Sequence, residues 1–160
     1  MKNIIENINI SSIEQIISPE ILKNRLRISD ELKKQVLNFR NEISDIINKK
    51  TDKLIAIVGP CSVSNYESTL EYAEELKEIS KQYDNILIIM RVYVEKPRTR
   101  TGWKGYLYDP DLNESNDINK GIELSRKLML EITQLGLPIA TEFLNLNTPQ
   151  YFDDLVSYAC

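Results

Sequence analysis

With 160 residues, 42% of them hydrophobic and 28% charged, the chain has the size of one globular domain with a core of its own. Its formal net charge of −4 speaks against a protein that coats nucleic acid, and no run approaches the roughly 18 to 20 apolar residues of a membrane span; MKNIIENINI lacks the layout of a signal peptide, so a cytoplasmic location is expected. Histidine is absent, and the two cysteines, Cys61 and Cys160, make no disulfide framework, which excludes a histidine-based triad within these residues.

In chain order, residues 1–52 are helical in tone and read as an N-terminal arm. Ser18, Pro19 and Glu20 suit a helix start with proline at its first position, and a second start follows at Ser29 or Asp30. Leu32, Val36, Phe39, Ile43, Ile46 and Ile47 then recur at helical spacing, an apolar stripe that needs a surface to lie on. LIAIVGPC, a run of β-branched and aliphatic residues stopped by Gly59 and Pro60, reads as a buried parallel strand. NYESTLEYAEELKEISKQY places Leu70, Ala73, Leu76, Ile79 and Tyr83 on one helical face, and NILIIMRVYV is a second apolar strand. A basic stretch and a long polar loop follow to about Asn116. DINKGIELSRKLMLEITQLG predicts a helix closed by Gly136, LPIATEFL a third strand, and NTPQYFDDLVSYA a helix started by Asn147 or Thr148 with Pro149 behind it.

Strands alternating with helices imply βα units around a parallel sheet. An open doubly wound sheet would want GxGxxG after its first strand, and the turn here reads GPCSVS, which weakens the nucleotide-binding reading. The expected fold class is therefore α/β, the N-terminal portion of a (β/α)8 barrel, about three βα units in residues 53–160, preceded by the helical extension 1–52. A complete barrel needs eight strands in about 250 residues.

In parallel architectures functional side chains gather at the carboxyl ends of strands. Three such ends are legible: Cys61 with Ser62, Arg91 with the loop through Lys104, and Glu142. The loop MRVYVEKPRTRTGWKG packs Arg91, Lys96, Arg98, Arg100 and Lys104 into one stretch of an acidic chain. Arginine forks match phosphate and carboxylate oxygens, and lysine adds a compact point charge. Extended backbone through Pro97 would point Lys96, Arg98 and Arg100 to one side; Thr99 and Thr101 add hydroxyls, and Gly102 and Gly105 allow close backbone approach. A site for a small polyanion, a solvated loop, and a nucleic-acid contact using Trp103 all fit such residues. Cys61 reads either as a small buried hydrophobe or, with no histidine to serve as base, as a soft metal ligand. Glu142 reads as a strand-end residue reaching water or as a carboxylate orienting the cations of the preceding loop. Tyr93 and Trp103 suit packing, and Cys160 a core position.

GPCS, MRVYVEKPRTRTGWKG, DPD followed by INKGI and RKL, and GLPIATEFL with TPQY, in that order and spacing, resemble the class I 3-deoxy-D-arabino-heptulosonate 7-phosphate (DAHP) synthases from about Leu54 to Cys160. The arm resembles the helical extension of microbial members more loosely. The resemblance implies a cytoplasmic (β/α)8-barrel enzyme that condenses phosphoenolpyruvate with erythrose 4-phosphate and water, releases phosphate, and opens the shikimate route to aromatic amino acids. It explains the basic loop, since two phosphates and a carboxylate must be held together against their repulsion. By the same resemblance, Arg91 and Lys96 are catalytic residues at phosphoenolpyruvate, Arg98 and Thr99 take the phosphate of erythrose 4-phosphate, Lys104 is a supporting cation, and Glu142 lies near phosphoenolpyruvate. Cys61 matches the thiolate ligand of a divalent metal of the Mn, Fe, Co or Zn type that polarises the aldehyde. A homo-oligomer, dimer or tetramer, and an aromatic amino acid effector are implied, with no nucleic-acid or membrane partner.

The remaining metal ligands of that family, a histidine, a glutamate and an aspartate from later strands, are absent from this sequence, and Arg100 stands where a small polar residue is expected. The sequence thus resembles the N-terminal part of such an enzyme, and the 160-residue chain alone is expected to show no turnover. The rival expectation is a truncated, non-catalytic remnant, an anion-binding or regulatory partner of a complete synthase.

Overall fold

A computed structural model describes residues 5, 8–10, 13–98 and 101–160. Within them α1 (Pro19–Arg25) and α2 (Asp30–Ile47) precede β1 (Leu54–Val58), α3 (Tyr66–Ser80), β2 (Ile86–Arg91), α4 (Ile118–Gln134), β3 (Ile139–Thr141), α5 (Pro149–Phe152) and β4 (Tyr158–Ala159). The caps are those the sequence suggests: Ser18 Oγ accepts from Ile21 N at 3.3 Å, Ser29 Oγ from Leu32 N at 3.2 Å, and Gly136 ends α4 with φ +82°.

The four strands form one sheet in the order β1, β2, β3, β4, every pair parallel. Val58 aligns with Met90, Met90 with Ile139, and Ala140 with Tyr158. Alternation along β2 divides the sheet into two faces. Ile88, Met90 and Val92 pack with Leu128, Ile132 and Ile139 into the main core under the helices. Ile89, by contrast, joins Ala140, Ile43, Ile55 and Leu87 in a smaller cluster on the other face.

The long helix α2 lies across the amino end of the sheet. Gln35 Nε2 donates to Thr133 O, in the last turn of α4, at 2.7 Å, while Arg40 Nε donates to Val156 O at 3.1 Å and Lys53 Nζ pairs with Glu42 at 2.8 Å, Val156 and Lys53 both standing just before a strand begins. Its stripe buries Val36 and Ile43, while Ile47 at the end is exposed. The carboxyl ends of the strands are left clear on the opposite side.

Three expectations need correction. Three strands were expected and four are present: the predicted helix from Asn147 to Ala159 is only the single turn Pro149–Phe152, and Tyr158–Ala159 pairs with Ala140–Thr141 instead. The free edge of β3 supplies hydrogen-bonding partners, Ser157 N reaching Ile139 O at 2.9 Å, that a continued helix would leave unmet. Cys160, read as a core residue, is exposed, because it follows this edge strand. The first strand is also less buried than its composition implies: Leu54 is 64% and Ile57 43% exposed, since β1 pairs on one side only. No helix among the described residues is long and apolar enough to cross a membrane.

Candidate functional site

The loop after β1 is pinned against the segment after β2. A Cβ on Gly59 would stand 2.7 Å from Arg91 O, so only glycine lets the two strand ends approach this closely. Beyond it Val63 N and Ser62 Oγ both donate to Tyr93 O, at 2.8 and 3.0 Å. Cys61 is thereby set beside the end of β2.

Arg91 and Tyr93 continue the alternation of Ile89 and share its face. The guanidinium lies 3.9 Å from the Tyr93 ring centroid, Nη2 donates to Cys61 O at 3.2 Å, and Nε is buried with no partner. Lys96 Nζ lies 3.0 Å from Cys61 Sγ and 3.4 Å from Cys61 O. The hydrogen bond from Lys96, followed by its charge and with Arg91 and Arg98 adding to it, holds the exposed Cys61 thiol below its ordinary range against a smaller opposing effect of desolvation. Three sequence-selected groups, Cys61, Arg91 and Lys96, therefore meet at one end of the sheet, and the charge of Arg98 acts on the same thiol.

The others are placed differently. Glu142 follows β3 on the same side, and its charge contributes to raising the Tyr93 hydroxyl, after burial and the hydrogen bond to Cys160. Among the described residues it forms no ion pair with Arg91, Lys96 or Arg98, so of its two readings the one in which it orients those cations has no contact behind it here. Lys104 contributes its backbone, its carbonyl accepting from Lys96 N at 2.8 Å, while its exposed side chain lines a crevice with Trp103 and Asp109. Thr99 and Arg100 lie outside the described residues.

The reading from sequence missed Glu95. It is 2% exposed, and its carboxylate accepts from Tyr108 Oη at 3.0 Å, Leu144 N at 3.2 Å and Thr148 Oγ1 at 3.3 Å. Thr148, one of the two expected starts of α5, makes no cap bond and gives its hydroxyl to Glu95 instead. Its one visible sign was a position inside the apolar run RVYVEK.

For a divalent metal, Cys61 offers one thiolate donor of suitable chemistry. No group of three or more His, Cys, Asp or Glu is gathered among the described residues, and the nearest polar group to the sulfur is the Lys96 ammonium, a cation. These residues do not by themselves make a metal site.

The model of the DAHP synthetase I family matches residues 23–159. The chain belongs to that family. Among its relatives, the Tyr-sensitive phospho-2-dehydro-3-deoxyheptonate aldolase of Escherichia coli K12 is 40% identical over 159 residues, covering 99% of this chain and 45% of that one. The aldolase of Amycolatopsis methanolica is 43% identical, over 96% of this chain and 76% of its own. The structure of the Francisella tularensis SCHU S4 aldolase superposes with a TM-score of 0.91 at 45% identity, over 94% of this chain and 45% of that one. This DAHP synthetase I family chain thus spans less than half the length of the Escherichia coli relative, and its four-stranded parallel sheet matches part of that solved structure.

Proposed function

We propose that these residues form the phosphoenolpyruvate and erythrose 4-phosphate end of a DAHP synthase, which joins the two substrates with water and releases phosphate as the first step of the shikimate pathway. The observation that carries this reading is the meeting of Arg91 and Lys96 at Cys61 at the carboxyl end of the sheet, with the charge of Arg98 acting on the same thiol and the buried Arg91 Nε unpaired among the described residues. A buried donor without a partner is costly and suits an incoming anion.

In this reading Arg91 holds phosphoenolpyruvate through its fork, kept in orientation by the Tyr93 ring beneath it. Lys96 reaches the same substrate near the reacting carbon, and Arg98 with Thr99 takes the phosphate of the aldose. Lys104 would act only as a supporting cation from the neighbouring crevice, and Glu142 would lie near phosphoenolpyruvate. C3 of phosphoenolpyruvate attacks the aldehyde carbon, water adds at C2, and the C2 oxygen bond to phosphate breaks. The cations hold two mutually repelling anions at reacting distance, which lowers the entropic barrier. A divalent ion, of the Mn, Fe, Co or Zn type, would polarise the aldehyde when bound, with Cys61 as one ligand.

The relatives named Tyr-sensitive and Trp-sensitive support an aromatic amino acid effector. A cavity of about 370 Å³ between the arm and the barrel, lined by Ile16, Pro19, Leu107, Tyr108, Ile122 and Tyr151, has the apolar walls and size for one. Residues 1–52 would then be the regulatory and oligomer-forming arm, residues 53–160 the first part of the catalytic barrel, and the complete protein a cytoplasmic dimer or tetramer.

The test is phosphate release by the protein as its source produces it, supplied with both substrates and a divalent metal. Activity is expected, and Arg91→Ala should lower kcat/KM for phosphoenolpyruvate by at least about a hundredfold. Absence of product from the intact protein would sink the reading. The two open sheet edges favour a second reading for a protein whose intact mass is only 18.5 kDa: a non-catalytic anion-binding partner of a complete synthase.

A further inference from the structure

A buried carboxylate with no cation beside it is costly to keep, and an apolar side chain of the same size would serve packing better. Glu95 is such a group among the described residues. Its three bonds tie together three segments: the extended chain after β2, the turn after Gly105 through Tyr108, and the loop between β3 and α5 through Leu144 and Thr148. Gly105 makes this junction close, since a Cβ there would meet Val94 O at 2.4 Å and Glu95 Cα at 2.9 Å. Lys96 is the next residue along the first segment, and Glu142 stands two residues before Leu144 on the third.

We propose that Glu95 is a positioning residue that sets the spacing between Lys96 and Glu142, and so the phosphoenolpyruvate half of the site; this rests on the synthase reading above. Arg98 lies past Pro97 on the exposed part of the loop, beyond the segments that Glu95 ties. Loss of the knot therefore acts on one substrate and spares the other. Glu95→Gln is the sharpest change. Its amide oxygen can still accept from Tyr108 and Thr148, but its NH2 then faces the Leu144 N–H, two donors head to head, so the link toward Glu142 is the one broken.

The experiment is isothermal titration of phosphoenolpyruvate, and separately of erythrose 4-phosphate, into the intact protein and its variants. Glu95→Gln should raise the Kd for phosphoenolpyruvate about tenfold while that for erythrose 4-phosphate moves less than about twofold. Should Glu95→Gln fail to fold, Tyr108→Phe and Thr148→Val, each removing one donor to the carboxylate, must show the same one-sided weakening in smaller measure. Unchanged affinities, or equal loss for both substrates, overturn the role of Glu95 and leave the synthase reading standing. Wild-type protein that binds neither substrate overturns the synthase reading itself, and the proposal with it.

Discussion

Lys96 and Cys61 form a pair in which each residue explains the other. The ammonium 3.0 Å from the sulfur stabilises the thiolate, and the sulfur in turn holds a flexible lysine over the end of the sheet. Lys96→Met removes both the hydrogen bond and the charge, so the Cys61 pKa should rise. The profile of Cys61 alkylation by iodoacetamide against pH, in protein without metal, should shift to higher pH; an unmoved profile would falsify the pairing. Most of this pair was legible in the sequence, because Gly-Pro-Cys after one apolar run and a basic loop after the next put both groups at strand ends. Glu95 was not legible. A glutamate beside a lysine reads as a solvated charge, and only the meeting of Tyr108, Leu144 and Thr148, 13 to 53 positions away, makes it a buried acceptor.

Among the elements, α4 carries the least replaceable contact. Arg126 is fully buried, forks onto Asp154 at 2.7 and 2.8 Å, and also donates to Leu26 O and Tyr151 O, so one side chain joins α4 to the arm and to the segment between α5 and β4. Burial pushes the Asp154 carboxyl up, but the hydrogen bonds and charge of Arg126, with Lys23, outweigh it and hold the pKa below the ordinary carboxylate value. Asp154→Ala strands the buried guanidinium and should destabilise the fold by about 3 kcal/mol or more at neutral pH, read from urea midpoints. Because the folded pKa is depressed, the wild-type advantage is present above the ordinary carboxylate value and fades as pH falls through the folded one. A gap that persists undiminished at low pH refutes the assignment. Amphipathic α2, α3 and α4 were read from periodicity and strands β1 to β3 from continuous apolar runs, whereas β4 was not read: two residues are too few to make such a run, and their partner is β3.

At the scale of the molecule, four parallel strands leave two open edges, β1 and β4, each paired on one side. An inner face carrying Ile55, Leu87 and Ile89 lies between them, closed at the amino end by α2. Open edges recruit other strands. The 160-residue chain prepared alone should therefore self-associate, as size-exclusion chromatography with light scattering would show, and give no measurable turnover. A monodisperse monomer with robust metal-dependent product formation contradicts both statements.

By itself the sequence determined the class of fold, the helix starts, the family and the basic loop, since these rest on local periodicity, capping and contiguous motifs. Tertiary structure alone decided that Arg91 and Lys96 close on Cys61, that Lys104 lines a crevice with Trp103 and Asp109, that Glu95 is buried, and that Tyr158–Ala159 form a strand. The physical reason is distance along the chain: each of these outcomes depends on groups made neighbours by the parallel sheet, whose strands pair only after whole helices have crossed between them.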